Sequence, residues 1–528
     1  MGKLFNKRNI CLLSLVTLLL TGCYRNNNSS AGGQGGGQGG DGDIEPPGRY
    51  STIDIYATND FHGSVEETDD CMGLKKWATY LKDKGERDNT LLIDQGDTWQ
   101  GSIYSNYNHG ELITDVMNYI HYDARSIGNH DFDWGVEYLA ANTARTYEGY
   151  RTPVLAGNVY DYNFATKAVG TNQQSQLGVK SVTYTLGNGV KVGILGGIGQ
   201  DQITSICSLY TMDICFTDHI QFIKDEATHL RNDEGCNVVI ASIHTGQDSV
   251  KYEGLENYVD LVLCGHTHSE ESSNEGLLWY SQNEAYGQSL GHITLTYDNE
   301  INDVVDTKIQ CISANKIKNE VKTIDEGVDN LVNTYNSQCE SAANVTVASN
   351  VSGNWKAGEE MANLMCKAIY DEAIKEGHND VLLSYVNTAR KSKYLDEYNG
   401  VWTYADLYDC FPFDNIVYIA DVTGREFKNE IKKYNNFYRS SSFTNTSIVD
   451  TQTYKIAVID YVYFHTNGNR DYDYFPQTAG TSIVTLEKNY REILRDWLID
   501  NHYNTGTQLK ASDYYSSLWQ HNKAQLPS

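Results

Sequence analysis

Five short motifs along the chain combine side chains that ligate divalent cations. They are Asp60-Phe61-His62-Gly63, Gly96-Asp97, Gly128-Asn129-His130-Asp131, His244, and Gly265-His266-Thr267-His268. Taken singly, each is a weak signal, because a histidine after a strand is more often a hydrogen-bonded structural residue and Gly-Asp is more often a turn. Their order is what carries information. Asp60, His62, Asp97, Asn129, His244, His266 and His268 supply two Asp, one Asn and four His, each just after a hydrophobic run. That count suits two metal ions with four protein ligands each, one of them shared. Imidazole mixed with carboxylate suits Zn²⁺, Mn²⁺ or Fe and fits Ca²⁺ poorly. Two such ions about 3.5–4 Å apart activate water at neutral pH and clamp an in-line displacement at phosphorus. The neighbouring glycines let the backbone turn sharply beside the ions.

A sheet must bring these donors together. Ser51–Thr58, Thr90–Ile93, Ala124–Ile127, Val190–Leu195, Val238–Ile243 and Leu261–Cys264 read as strands. Gly73–Lys84 reads as an amphipathic helix with Leu74, Trp77, Ala78 and Leu81 on one face, and Leu112–Ile120 and Asp218–Arg231 read as helices. Trp279–Ser281 and His292–Tyr297 read as later, more antiparallel strands. Strands alternating with helices imply a layered α/β domain, in which ligands bind at the carboxyl ends of the strands. This domain is expected over residues 49–314. The polar, helix-prone run 315–343 is expected as one connecting helix. A second α/β unit is expected over 344–528, with helices at Glu359–Glu376, Gly424–Tyr434 and Asn489–Asn501 and strands at Val381–Tyr385, Ile416–Val422 and Lys455–Ile459.

The longer strings Ala57-Thr-Asn-Asp-Phe-His-Gly63, Gly96-Asp-Thr-Trp-Gln-Gly-Ser102 and Gly128-Asn-His-Asp-Phe-Asp133 resemble the 5′-nucleotidase/UDP-sugar hydrolase branch of the metallophosphoesterases. Leu407–Gly424, with Phe411-Pro412-Phe413 inside it, is similar to the nucleotide-recognition domain of that family. The resemblance runs from Tyr50 to about Phe475. It implies a four-layer αββα sandwich followed by a second α/β domain for nucleotide recognition. It also implies that Asp60, His62 and His268 hold one ion, that Asn129, His244 and His266 hold the other, and that Asp97 bridges them. His130, oriented by Asp133, would stabilise the transferring phosphoryl group; Asp133 could equally cap the helical segment that follows. The nucleobase would stack between Phe413 and Tyr461, although core packing is an equal reading of Tyr461 in so Tyr-rich a chain. Arg390 would grip the substrate. The family's glycine-rich segment before that arginine is Val386-Asn387-Thr388-Ala389 here, Ala357 stands beside Lys356 where a second arginine is expected, and the Gly-Gly-Asp-Gly loop is replaced by Asn467–Asp473. Hydrolysis is therefore better supported than nucleotide selectivity.

The N-terminus carries Lys3, Lys7 and Arg8, then a mostly apolar run from Ile10 to Leu20, too short to span a bilayer. It ends in Leu20-Thr21-Gly22-Cys23, which resembles a bacterial lipoprotein signal; an ordinary secretory peptide with a chance Cys is the competing reading. Cys23 is the expected lipidation site, so residues 1–23 form the signal. Residues 24–48, rich in Gly, Asn and Gln, form a flexible tether reaching roughly 25–30 Å. The expected location is the extracytoplasmic face of the cell membrane, held by lipid alone. The formal charge of −28 disfavours a nucleic acid polymer as partner but not a small anion beside two cations. Of eleven cysteines, Cys207 and Cys215 are close enough to close a small loop in an oxidising compartment, whereas Cys264 and Cys366 read as buried apolar residues. The expected activity is hydrolysis of nucleoside 5′-phosphates for salvage. The alternatives are nucleotide sugars, 2′,3′-cyclic nucleotides or other phosphate esters, and, from another class, a catalytically inert surface-binding lipoprotein.

Overall fold

The computed structural model describes residues 48–275, 278–433, 437–439, 448–481 and 483–515. The signal ending at Cys23 and the tether, save its last residue, lie outside them. Two six-stranded sheets form the N-terminal half. The first runs in the spatial order Asp303–Ser313, Ser289–Asp298, Tyr50–Thr58, Thr90–Asp94, Ala124–Ser126, Val154–Leu155. The second runs Glu271–Glu275, Leu278–Gln282, Leu261–Cys264, Val238–His244, Lys191–Ile198, Ser181–Thr185. The strands that precede the ligating motifs pair in parallel, so their carboxyl ends share one edge of each sheet.

Period-two alternation explains the layering. Ile53, Ile55, Leu91, Ile93, Val238, Ile240, Leu261 and Leu263 point between the sheets and form one core. From the same strands, Val239, Ala241 and Ile243 point outward against Ile223, Ala227 and Leu230 of helix His219–Asn232. On the opposite outer face lie helices Gly73–Gly85 and Glu111–Tyr119, packed through Leu74, Trp77, Leu81, Leu112 and Val116. The order is thus helix, sheet, sheet, helix, and strands buried on both faces read as nearly continuous apolar runs.

The single connecting helix expected over 315–343 is two helices, Ala314–Glu320 and Glu326–Ala343, N-capped by Ser313 and Asp325. The second is not a free-standing connector. Val328, Leu331, Val332 and Tyr335 make an apolar stripe inside the polar run and bury it against the first domain. Tyr335 Oη donates to Asp115 at 2.6 Å, and Lys75 Nζ to Asp329 at 2.6 Å. Strand Ser289–Asp298 also leaves the neighbourhood of Leu278–Gln282 and crosses to the first sheet, antiparallel to Tyr50–Thr58. A three-stranded sheet of Val159–Asn163, Ala168–Gln173 and Ile214–Phe216 has little hydrophobic alternation and is not legible in sequence.

The C-terminal half is built on a mixed five-stranded sheet in the order Phe437–Arg439, Val381–Tyr385, Thr453–Ile459, Ile416–Thr423, Ile483–Asn489. Helices Ala362–Lys375 and Tyr490–Leu498 pack in its core. Each meets a wider, π-helical turn, Ala357–Met361 before the first and Ile499–Tyr503 after the second, where uninterrupted helices were expected.

Candidate metal centre

The loops after the first two site strands interlock through their backbones. The amides of Asp60, His62 and Gly63 donate to the carbonyls of Gly96, Asp97 and Thr98, each at 3.0 Å. The third loop joins them when the His130 amide donates to Asp97 Oδ1 at 2.7 Å. From the second sheet, the His266 amide donates to the Asp60 carboxylate at 2.9 Å. Gly96, at φ +91°, lies so close to Gly128 that a Cβ there would sit 2.6 Å from the Gly128 nitrogen. A Cβ on Gly128 would sit 2.1 Å from Asp97 Oδ1. These two glycines are required for the approach.

The structure brings Asp60, His62 and His268 into one group and Asp97, His244 and His266 into another, with the ligating atoms of each group within 4.8 Å of one another. Asn129 Oδ1 lies 3.0 Å from His266 Nδ1 and 3.2 Å from His244 Nε2, and so joins the second group. Asp97 Oδ2 lies 3.2 Å from His244 Nε2 and 3.8 Å from His62 Nε2, between the two groups. Thr58 and Asp94, at the ends of the same strands, hydrogen-bond each other instead.

The chemistry of the donor set fits two cations. His244 Nδ1 donates to the Gln95 carbonyl at 2.7 Å and His62 Nδ1 to the Gln100 carbonyl at 3.1 Å. Those bonds fix the tautomers and aim the Nε2 lone pairs inward, as ligating histidines require. His62 Nε2 and His268 Nε2 face each other at 3.0 Å. Among the described residues, Asn129 Nδ2 is buried with no hydrogen-bond partner, and the buried Asp97 Oδ2 is faced by histidine nitrogens alone, which is costly for polar atoms unless something charged completes the site. Without a cation, burial would lower the His244 pKa, but Asp97 outweighs it and pushes His244 up to about 10. His266 is lowered to about 4 by burial and by its neighbour His244. One proton thus stands in for positive charge that the donors are built to surround.

Beside this cluster, His130 Nδ1 lies 2.7 Å from Asp133 Oδ2. Burial opposes charge on His130, yet Asp133 and Asp97 overcome it and raise its pKa. Asp133 does not cap the next helix, Val136–Ala144, whose N-cap is Gly135. The second domain closes the site from above. Gln100 and Asn106 both donate to the Pro412 carbonyl, at 3.1 and 2.6 Å, and Trp134 Nε1 donates to Asp414 at 2.9 Å. Phe413 is thereby stacked on the His130 ring, 5.2 Å between centroids. Arg390, Phe413 and Tyr461 all line a cavity of about 400 Å³ that opens onto Asn129, His130 and His266. Its volume is in the range of small-ligand sites. Asn387, Thr388 and Asn415 also line it.

Lys356, by contrast, is exposed and pairs with Glu359 at 3.4 Å, and the Asn467–Asp473 loop is not among the lining residues. The suggested Cys207–Cys215 disulfide is not formed; both are buried free thiols, like Cys264 and Cys366. Sequence reasoning missed Tyr286, whose ring lies 5.2 Å from that of His62. It also missed Gln95 and Gln100, which act through backbone carbonyls and so leave no side-chain signal.

The calcineurin-like phosphoesterase family matches residues 53–270, and the 5′-nucleotidase, C-terminal domain family matches residues 341–516. An apyrase from Tabanus yao is 32% identical over 239 residues, which cover 42% of this chain and 40% of the apyrase, so the chain spans well under two thirds of that relative's length. A snake venom 5′-nucleotidase from Naja atra is 25% identical over 416 residues, covering 70% of this chain and 76% of that protein. The fold is shared with the crystal structure of a 5′-nucleotidase precursor from Thermus thermophilus, at a TM-score of 0.65 and 16% identity, covering 85% of this chain and 96% of that one.

Proposed function

The chain belongs to the metal-dependent phosphoesterases that join a calcineurin-like phosphoesterase domain to a 5′-nucleotidase C-terminal domain, and from that premise we propose that it hydrolyses nucleoside 5′-phosphates to nucleoside and phosphate. The observation that carries this reading is the position of Asp97 Oδ2, fully buried between two groups of nitrogen and oxygen donors, 3.2 Å from His244 Nε2 and 3.8 Å from His62 Nε2. Asp60, His62 and His268 would hold one cation, Asn129, His244 and His266 the other, and Asp97 would be shared. Zn²⁺, Mn²⁺ and Fe all match this mixture of donors. When bound, such a pair supplies Lewis acidity and an activated water.

The chain's own residues do the rest. His130, whose pKa Asp133 and Asp97 raise against the cost of burial, is a hydrogen-bond donor beside the reacting centre and stabilises charge that develops on the phosphoryl oxygens. Arg390 holds the phosphate from the second domain. Phe413 and Tyr461 offer aromatic faces to the base; each stacked base contributes about 1–3 kcal/mol with little discrimination between bases. Docking of the second domain over the first would shield the reacting groups from bulk water once substrate fills the cavity between them. We further read Cys23 as a lipid attachment site that holds the enzyme on the extracytoplasmic face of a cell membrane.

Purified protein supplied with Mn²⁺ or Zn²⁺, assayed for phosphate release from a panel of nucleoside mono-, di- and cyclic phosphates and one nucleotide sugar, tests the reading. Fastest release from 5′-monophosphates supports it. Release only from the nucleotide sugar or the cyclic compounds reassigns the substrate, and release from none of them removes the proposal.

A further inference from the structure

Tyr286 occupies an unusual place. It sits at φ +59°, where a side chain other than glycine is strained, and its amide donates to the Asp60 carbonyl at 2.7 Å. Its ring packs against His62 at 5.2 Å and His268 at 5.3 Å, so it forms the wall behind one donor group. The loop that carries it is tied down by Asn283, which bonds Asn59 and the Ala57 carbonyl, and by the Ala314 amide on Gln288. Strain held by such over-determined surroundings clusters at functional positions.

Its hydroxyl faces the second domain. Arg390 Nε donates to Tyr286 Oη at 3.0 Å, while Arg390 Nη2 lies 3.3 Å from His62 Nε2 and 3.5 Å from His268 Nε2. Among the described residues, no carboxylate lies within ion-pair distance of Arg390. Once the two Nε2 lone pairs are engaged by a cation, they can no longer accept from the guanidinium. Among the described residues, Tyr286 Oη is then the one first-domain acceptor left to hold it, through Nε, and Nη2 is free for an anion's oxygens. A guanidinium tethered through Nε is a preorganised fork for a phosphate, which a lysine would not reproduce.

We propose that Tyr286 is the positioning residue for Arg390: its phenol receives the arginine when the second domain docks and fixes its outer nitrogens over the phosphoryl position. This rests on the function proposed above for the identity of the anion, but not for the geometry. It adds a residue that acts through another and touches no substrate atom itself.

The test is a double-substitution cycle on the Mn²⁺-loaded protein. Tyr286→Phe keeps the ring that packs on His62 and His268 and removes only the acceptor. We expect it to raise the calorimetric Kd for orthophosphate, and the KM for adenosine 5′-monophosphate, about 3–10-fold, the loss of one ordinary hydrogen bond. kcat and metal content should stay within twofold. In an Arg390→Ala or Arg390→Lys background, Tyr286→Phe should add nothing. An unchanged Kd, or a penalty that persists undiminished without the arginine, would overturn the assignment. Because orthophosphate binding needs no turnover, a protein that hydrolyses no nucleotide would sink the proposed function while the cycle still decides the role of Tyr286.

Discussion

At the scale of single residues, the site is a problem of lone pairs. His62 and His268 turn their Nε2 atoms toward each other, His62 and His244 turn theirs toward Asp97 Oδ2, and positive charge relieves that arrangement. In the cation-free protein that charge is a proton on His244, whose pKa of about 10 keeps it protonated throughout the neutral range. A cation must displace this proton, so affinity rises as pH rises, about tenfold per unit for one displaced proton. Calorimetric Mn²⁺ titrations in two buffers of different ionisation enthalpy should report about one proton released per chain between pH 6 and 8; a pH-independent affinity would contradict this. The His130–Asp133 pair makes a separate prediction. Asp133→Asn retains both donor groups but leaves His130 without its carboxylate, so kcat should fall by about 10²-fold or more with metal content unchanged. A kcat within a few-fold of the parent would assign Asp133 a structural role.

At the scale of elements, the strands decide where the donors stand and the loops decide where they point. Asp60, His62, Asp97, His266 and His268 all have positive φ, between 47° and 79°, although none is glycine. Such backbone costs of order 1–3 kcal/mol each, and the interlocked loop amides hold it in place. The second domain stores a different cost at the end of strand Thr453–Ile459. Burial raises the Asp460 carboxyl from its usual range to about 7, even though the amides of Ile416 and Tyr461 bond it. A raised carboxyl pKa favours the neutral form in the folded state. The stability it contributes is therefore complete below about pH 4 and is lost as pH rises through about 7. The parent should lose more Tm than Asp460→Asn between pH 6 and 8.5; parallel curves would refute it. Much of this was legible in sequence for a physical reason: period-two apolar runs fix strands, and His, Asp and Asn directly after them are chemically distinctive. Tyr286 was not legible, because a tyrosine among 39 carries no such mark. The two helices over 314–343 were read as one because Ile317, Val321, Ile324 and Val328 keep helical spacing across the break between them.

At the scale of the whole molecule, the site is completed only when the two halves dock. Besides the Pro412 and Asp414 contacts, the loop that replaces the family's glycine-rich turn reaches into the first domain. Arg470, 5% exposed, donates to the Thr211 carbonyl at 2.8 Å and lies over the rings of Tyr162 and Phe164, at 5.0 and 5.4 Å. Nearby, Ser208 Oγ donates to the Phe464 carbonyl at 2.7 Å, and Lys167 pairs with Asp471. The three-stranded sheet that the sequence hid is thus the dock for a loop whose divergence the sequence did reveal. Arg470→Ala should weaken docking by about 1–3 kcal/mol, enlarging the particle in small-angle scattering and raising KM for nucleotides without changing metal content. An unchanged scattering profile and KM would show that the contact carries no load.

In the proposed mechanism, two cations sharing Asp97 would underlie every step of the chemistry. Anomalous diffraction at the manganese edge from crystals grown with Mn²⁺ tests this most directly. Two peaks are predicted, both within coordination distance of the Asp97 carboxylate, about 2.0–2.3 Å, one toward Asp60, His62 and His268 and the other toward Asn129, His244 and His266. A single peak, or peaks away from Asp97, would contradict it.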